Sequence, residues 1–182
     1  MKKVMLVFLL VVFFAGLASA KALMFEVKGG YFNPSGTELR SDYGTFFDVG
    51  GEVTFGILPR LKLWAGVDYL SAKGQPPNAV GARIHLTPIQ GGIKYILSVG
   101  VIRFYGGAGV SYINYKKTAP AGDVTDSALG FVFKVGALFK VKGPFVVDLF
   151  FENSYGSVNP AGVGINVGGI TAGIGIGFES II

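Results

Sequence analysis

The 182-residue sequence has no cysteine and one histidine, and only 15% of its residues are charged. Without cysteine there is no disulfide framework and no thiolate-ligated metal site, and neither a metal nor a cofactor is expected. The formal net charge of +5 is spread along the chain and gives no nucleic-acid signature. Beyond residue 20 every apolar run is short and interrupted by glycine or a charge, so no transmembrane helix is predicted. What is abundant is glycine, 29 residues, about twice the share of an ordinary soluble domain, alongside 51% hydrophobic residues. Disorder is excluded by that hydrophobicity, and the length allows one domain. A greasy chain with no spanning helix is the contradiction to resolve.

The first twenty residues have their own explanation. Lys2 and Lys3 form a charged start, Val4 to Phe14 an apolar stretch and Ala18-Ser19-Ala20 a small-residue cleavage site, the three parts of a secretory signal peptide. Residues 1–20 are therefore read as a cleaved leader and residues 21–182 as one domain. No cysteine follows the apolar stretch, which excludes lipid attachment there.

In the remainder the dominant period is two. From Phe46, residues Phe47, Val49, Gly51, Val53, Phe55 and Ile57 share one face, while Asp48, Gly50, Glu52, Thr54 and Gly56 share the other. Similar segments recur near 22–32, 46–57, 61–71, 82–96, 102–115, 128–141, 145–155 and 167–182. Each has about ten residues or more, which is what a tilted strand needs to cross a bilayer. Strands in lipid must pair all their backbone groups, so the sheet must close. The predicted fold is all-β: an eight-stranded antiparallel up-and-down transmembrane β-barrel, after a cleaved signal peptide.

The charges select the inside. Parity puts Glu26, Asp48, Glu52, Asp68, Asp148, Glu152 and Glu179 on the polar face with Lys28, Lys62, Arg83, Lys94, Arg103, Lys134 and Lys140. A charge at the bilayer midplane costs about 2–4 kcal/mol on a barrel exterior, so this face is the lumen. An eight-stranded lumen is just wide enough for side chains to fill it, and fourteen balanced charges predict a plug of ion pairs. Inward glycines such as Gly107, Gly109, Gly136, Gly173 and Gly175 would make room for the long basic side chains. The fourth segment changes parity between Ala82-Ile84-Leu86 and Ile89-Ile93-Tyr95, which predicts a bulge at Thr87-Pro88 with the apolar residues on both sides of it facing out.

Connections alternate in length. Leu58–Arg60, Leu97–Val101 and Lys142–Pro144 are short, whereas 33–45, 72–81, 116–127 and 156–166 are long. Short turns on the periplasmic side put both termini there and the long loops outside the cell. Outward aromatics sort into two groups, Tyr31, Phe47, Tyr69, Tyr112 and Tyr155 toward the long loops and Phe25, Phe55, Tyr95, Phe104, Phe139, Phe145 and Phe178 toward the short turns. They are candidate interfacial girdles.

The stretches Ile102-Arg103-Phe104-Tyr105-Gly106-Gly107-Ala108-Gly109-Val110, Leu86-Thr87-Pro88-Ile89-Gln90-Gly91-Gly92-Ile93-Lys94-Tyr95 and Gly169-Ile170-Thr171-Ala172-Gly173-Ile174-Gly175-Ile176-Gly177-Phe178 resemble strands of the small outer-membrane β-barrel domain family, the eight-stranded OmpA/OmpX type. The resemblance spans residues 21–182 and implies residence in the outer membrane of a Gram-negative cell. It also implies contact with outer-membrane lipid and lipopolysaccharide, assembly by the barrel-insertion machinery, and an extracellular protein ligand as a role open to the loops. Family members usually end in an aromatic residue; this chain ends in Ile182.

The expected role is structural or surface-interacting and non-enzymatic. A narrow porin-like channel is the alternative, followed by a lipid-A-modifying enzyme and a soluble periplasmic lipocalin-like binder with the faces inverted. The enzyme reading rests on His85, placed on the polar face, with Ser71 or Ser154 as hydroxyl and Asp68 or Glu152 as orienting carboxylate. None of these has a motif spacing, and no catalytic residue is assigned.

Overall fold

The computed structural model describes residues 22–74, 80–120 and 122–181. The proposed leader, residues 1–20, lies outside them. The alternating segments form long strands: β1 Ala22–Pro34, β2 Phe46–Gly56, β3 Leu61–Lys73, β4 Arg83–Val99, β5 Ile102–Ala119, β6 Gly122–Lys140 and β7 Phe145–Val158, with a two-residue β8, Ile165–Asn166, and a final β9, Gly169–Ile181. Consecutive long strands pair antiparallel, β9 pairs with both β7 and β1, and the sheet closes. Eight long strands make the barrel; β8 pairs only with the end of β7.

Alternation decides the two faces. Phe25, Val27 and Tyr31 of β1, Phe131, Phe133 and Val135 of β6, and Ile174 and Ile176 of β9 are all exposed on the outside, while Glu26, Lys28, Lys134 and Asp148 are buried inside. An exterior this apolar suits lipid and not water. Outward rings meet edge-on across strands, as in Tyr31 with Phe47 at 6.3 Å and Phe145 with Phe178 at 5.9 Å. Phe55 has the outward parity but is buried, with 2% of its surface exposed.

Two expectations about the strands are corrected. The connection 116–127 is not a long loop: β5 and β6 continue in register from Tyr112–Leu129 up to Ala119–Gly122. The apolar and β-branched positions there pair as strands, and the charges Lys116 and Asp123 sit on them as a surface ion pair at 3.3 Å. Nor does β4 bulge at Pro88. Val67 pairs with Ile89 and Leu70 with Leu86 at one unchanged offset, and the β5 side runs continuously through Thr87–Asn114 and Pro88–Ile113. Proline lacks an N–H, so the ladder with β3 drops its pairs at positions 87 and 88 and inserts no residue. Parity therefore holds along all of β4. Ile84 and Leu86 point inward, and Arg83 and His85 point outward.

The remaining long connections differ. Residues 33–45 contain helix α1, Thr37–Tyr43, which buries Leu39 and Tyr43. Residues 156–166 carry a single 3-10 turn at Pro160–Gly162 and β8. At the opposite end Gly100, at φ 62°, makes the two-residue β4–β5 turn that a side chain would strain.

Candidate functional site: the lumen

The interior is stacked in tiers. At the long-loop end Phe32, Phe46, Leu70, Ile84, Leu86, Ile113, Tyr115 and Val158 pack with Leu39 and Tyr43 of α1 into an apolar cluster. Nearer the short turns Met24, Ile96, Tyr105, Leu138, Val146 and Phe150 form a smaller one. Between them lie the charges.

Glu52 of β2 is their centre. Its Oε2 accepts from Lys134 Nζ at 2.8 Å and from Lys28 Nζ at 3.1 Å, and its Oε1 accepts from Lys94 Nζ and from Thr54 Oγ1 at 3.2 Å. Three lysines from three strands thus converge on one carboxylate. Each lysine has a further acidic neighbour: Lys28 faces Asp148 at 3.8 Å, Lys94 faces Glu26 at 3.8 Å, and Lys134 faces Glu152 at 3.2 Å. Gln90 Nε2 donates to Glu152 at 2.8 Å and the Tyr105 hydroxyl donates to Asp148 at 2.9 Å. All of these groups are buried. In so dry a place the pairs hold only because their hydrogen bonds are made together; removing one partner from such a set costs about 3–5 kcal/mol.

Aromatic rings complete the lysine sites. Lys134 Nζ stands 3.4 Å from the Trp64 ring centroid, Lys94 4.6 Å from Tyr105 and Lys28 4.5 Å from Phe150. These rings need the glycines opposite them. A Cβ at Gly136 would lie 2.6 Å from the Tyr105 hydroxyl, one at Gly109 2.9 Å from Trp64, and one at Gly173 2.7 Å from Phe150. The lumen glycines were expected to accommodate basic side chains. Gly107 and Gly175 do lie against Lys94, Lys134 and Lys28, but Gly109, Gly136 and Gly173 seat the rings on which the lysines rest. Trp64, Tyr105 and Phe150 are members of the network that charge counting missed; their parity, shared with Lys62, Arg103 and Asp148, was the available signal.

The other proposed lumen residues separate by height. Asp48, Asp68, Gln90 and Glu152 line a cavity of about 20 Å³, room for one water molecule, whose other side is formed by Phe32, Leu70 and Leu86 of the apolar cluster. Arg103 pairs with Glu179 at 2.7 Å at the short-turn mouth, where Lys62 is half-buried and Lys140 exposed. Arg83 is not in the lumen. It is exposed on the outer wall, because β4 keeps one parity throughout. The deep tier consequently holds six carboxylates, Glu26, Asp48, Glu52, Asp68, Asp148 and Glu152, against Lys28, Lys94 and Lys134, and the expected even balance is not reached there.

His85 is also outside, where its ring stacks on Tyr69 with centroids 5.3 Å apart and its Nδ1 lies 2.5 Å from the Tyr69 hydroxyl. Ser71 is its register neighbour on the same face. Asp68 and Glu152 lie on the inner face, as does Ser154, whose hydroxyl donates to the Gly169 carbonyl at 3.3 Å. The barrel wall therefore separates the histidine from Asp68 and Glu152, the carboxylates an enzyme would need beside it.

A closed eight-stranded barrel with a lipid-suited exterior and a filled interior agrees with the comparison against protein families, in which the outer membrane protein beta-barrel domain matches residues 5–178. The chain belongs to that family. Its place is the outer membrane. No curated protein matches the chain by sequence. Among solved structures, Neisserial surface protein A is similar at 18% identity and TM-score 0.64, covering 86% of this chain and 95% of that one. OprG from Pseudomonas aeruginosa is similar at 12% identity and TM-score 0.67, covering 90% and 98%. Ail of Yersinia pestis is similar at 12% identity and TM-score 0.59, covering 87% and 99%, and has also been solved with the heparin analogue sucrose octasulfate. At such identities the likeness is one of fold.

Proposed function

We propose that this outer membrane barrel is a structural and surface-interacting protein whose lumen is closed to solutes, with its termini in the periplasm and its long connections outside the cell. The observation that carries this reading is Glu52, held by three lysines across the middle of the lumen. An ion crossing that plane would have to displace at least one buried pair, and the apolar cluster under α1 offers it only the Tyr43 and Tyr115 hydroxyls and no charged group. No catalytic role is assigned, since His85 faces lipid without a carboxylate. Work remains for the outer surface and the loop end, and the heparin analogue held by Ail supports reading this fold as a scaffold for surface ligands, an extracellular protein among them. Assembly by the barrel-insertion machinery and contact with lipopolysaccharide belong to the same reading. Purified protein in planar bilayers is expected to give no stepwise conductance at any applied voltage. Reproducible single-channel steps from the folded barrel would overturn the closed-lumen reading in favour of a narrow channel.

A further inference from the structure

The outer wall of the barrel is unequal around its circumference. At the outward positions of β1, β2, β7 and β9 there is no charged residue from the short turns to the long connections. The other half differs. The aligned registers of β3, β4, β5 and β6 give four successive outward rows toward the long-loop end. The first is Val67, Ile89, Tyr112 and Leu129, the next contains Tyr69, Thr87, Asn114 and Ser127, the third Ser71, His85, Lys116 and Thr125, and the last Lys73, Arg83, Thr118 and Asp123. Apolar side chains give way to hydroxyls and an amide, and those to cations.

Height and charge together identify what this sector meets. Successive rows are two residues apart, about 5 Å of height at a tilt near 45°. The first cationic row therefore stands about one step beyond Tyr69, at the level where a bilayer changes from hydrocarbon to headgroups. His85, Lys116, Arg83 and Lys73 occupy adjacent strands, and directly paired positions on one face put side-chain roots about 5 Å apart. Lys73 opposite Arg83 is a like-charge pair, an arrangement that is unfavourable unless an anion sits between the two. Among the described residues neither has an acidic partner within ion-pair distance. The one acid in the sector, Asp123, meets Lys116 at 3.3 Å with both side chains about half-exposed, a pair of the kind that contributes little and yields readily. His85 is fixed by Tyr69. In the tautomer in which the phenol O–H donates to Nδ1, Nε2 carries the proton and is a second donor in the row.

We infer that Lys73, Arg83, His85 and Lys116 form a binding site on the outer wall for the phosphate groups of a phosphorylated glycolipid in the surrounding leaflet, its acyl chains lying on the Val67–Tyr112 rows below. The guanidinium of Arg83 supplies a bidentate donor for phosphate oxygens, and the two lysines supply charge. The uncharged half of the wall has no equivalent, so such a lipid would be held on one side of the barrel. The inference rests on the orientation proposed above, since it places this end at the glycolipid leaflet.

The test uses the chain without its leader, refolded into phosphatidylcholine vesicles doped with bisphosphorylated lipid A or with fully dephosphorylated lipid A. After detergent extraction, lipid A bound per barrel is measured by mass spectrometry. The bisphosphorylated form is expected to remain bound, and Arg83→Glu with Lys116→Glu is expected to lower its retention about tenfold or more. Ser157→Glu, a charge change on the opposite wall, is expected to leave it unchanged. Both sets of positions are at the exposed loop end, and heat-modifiable gel migration confirms folding. Equal retention by the double variant, or of the dephosphorylated lipid, would overturn the site. Release of the lipid by millimolar inorganic phosphate would show an anion site not dedicated to lipid, and would overturn the assignment to a glycolipid. Vesicles carry lipid A in both leaflets, so the assay reads the wall whichever way the barrel inserts. The orientation itself is read separately with Val163→Cys, in an exposed long connection: labelling by a membrane-impermeant maleimide on intact cells is expected, and labelling only after lysis would overturn the orientation.

Discussion

The two large tiers of the lumen fill the same kind of space with opposite chemistry. Around Glu52 the inner face is built from long charged side chains, aromatic rings and glycine. Under α1 it is built from Phe32, Phe46, Ile84 and Leu86, as in the core of a soluble domain. The difference follows from what the outside meets and what closes the end. In the middle, the polar face of each amphipathic strand has nowhere to go but inward, and its charges must satisfy one another. At the loop end α1 covers the opening, and Leu39 and Tyr43 complete an apolar interior shut off from water. One tier depends on specific partners, the other on filled volume.

Breaking the ionic tier should have the largest effect. Glu52→Gln keeps the shape and removes the charge shared by three lysines, and is expected to cost about 3–5 kcal/mol in urea unfolding from detergent micelles. A loss below about 1 kcal/mol would mean that the lysines find other carboxylates and that Glu52 is no hub. Ile84→Ala opens a cavity in the apolar tier and is expected to cost about 2–4 kcal/mol. The two tiers meet at the small cavity, but neither Glu52 nor Ile84 lines it, so the double variant should lose the sum of the separate losses within about 0.5 kcal/mol; clear non-additivity would show the tiers acting as one unit. Arg103→Ala is the mild case. Its pair with Glu179 is partly solvated at the mouth, so a cost of about 1 kcal/mol or less is expected, shrinking as salt is raised.

Parity made the middle of the molecule readable from sequence. A strand that has lipid on one side and charges on the other alternates without ambiguity, as Phe47 to Phe55 does around Asp48 and Glu52. Alternation fades where both faces are apolar. In β2 the neighbours Phe46 and Phe47 point to opposite sides, one into the cap and one to lipid, and in sequence they look alike. The same loss of contrast made Ile84 and Leu86 read as outward and drew Arg83 and His85 inward with them. Pro88 encouraged that error, since a residue without an N–H suggests an inserted bulge, while the barrel accommodates it by leaving two ladder pairs unmade. The long β5–β6 hairpin was hidden for another reason: lysines and aspartates on a strand that rises above the apolar band are as polar as a loop. The aromatic seats of the three lysines were missed because charge was counted without the rings of matching parity.

The last strand brings this interior to an unusual division of labour. On its inner face β9 offers Gly173, Gly175 and Gly177, and side chains from its neighbours, Phe150, Lys28 and Val146, lie over them. It contributes a full complement of pairing to β1 on one side and β7 on the other, yet almost no bulk to the middle of the lumen. There, seven strands furnish the contents and the eighth closes the cylinder as a thin stave.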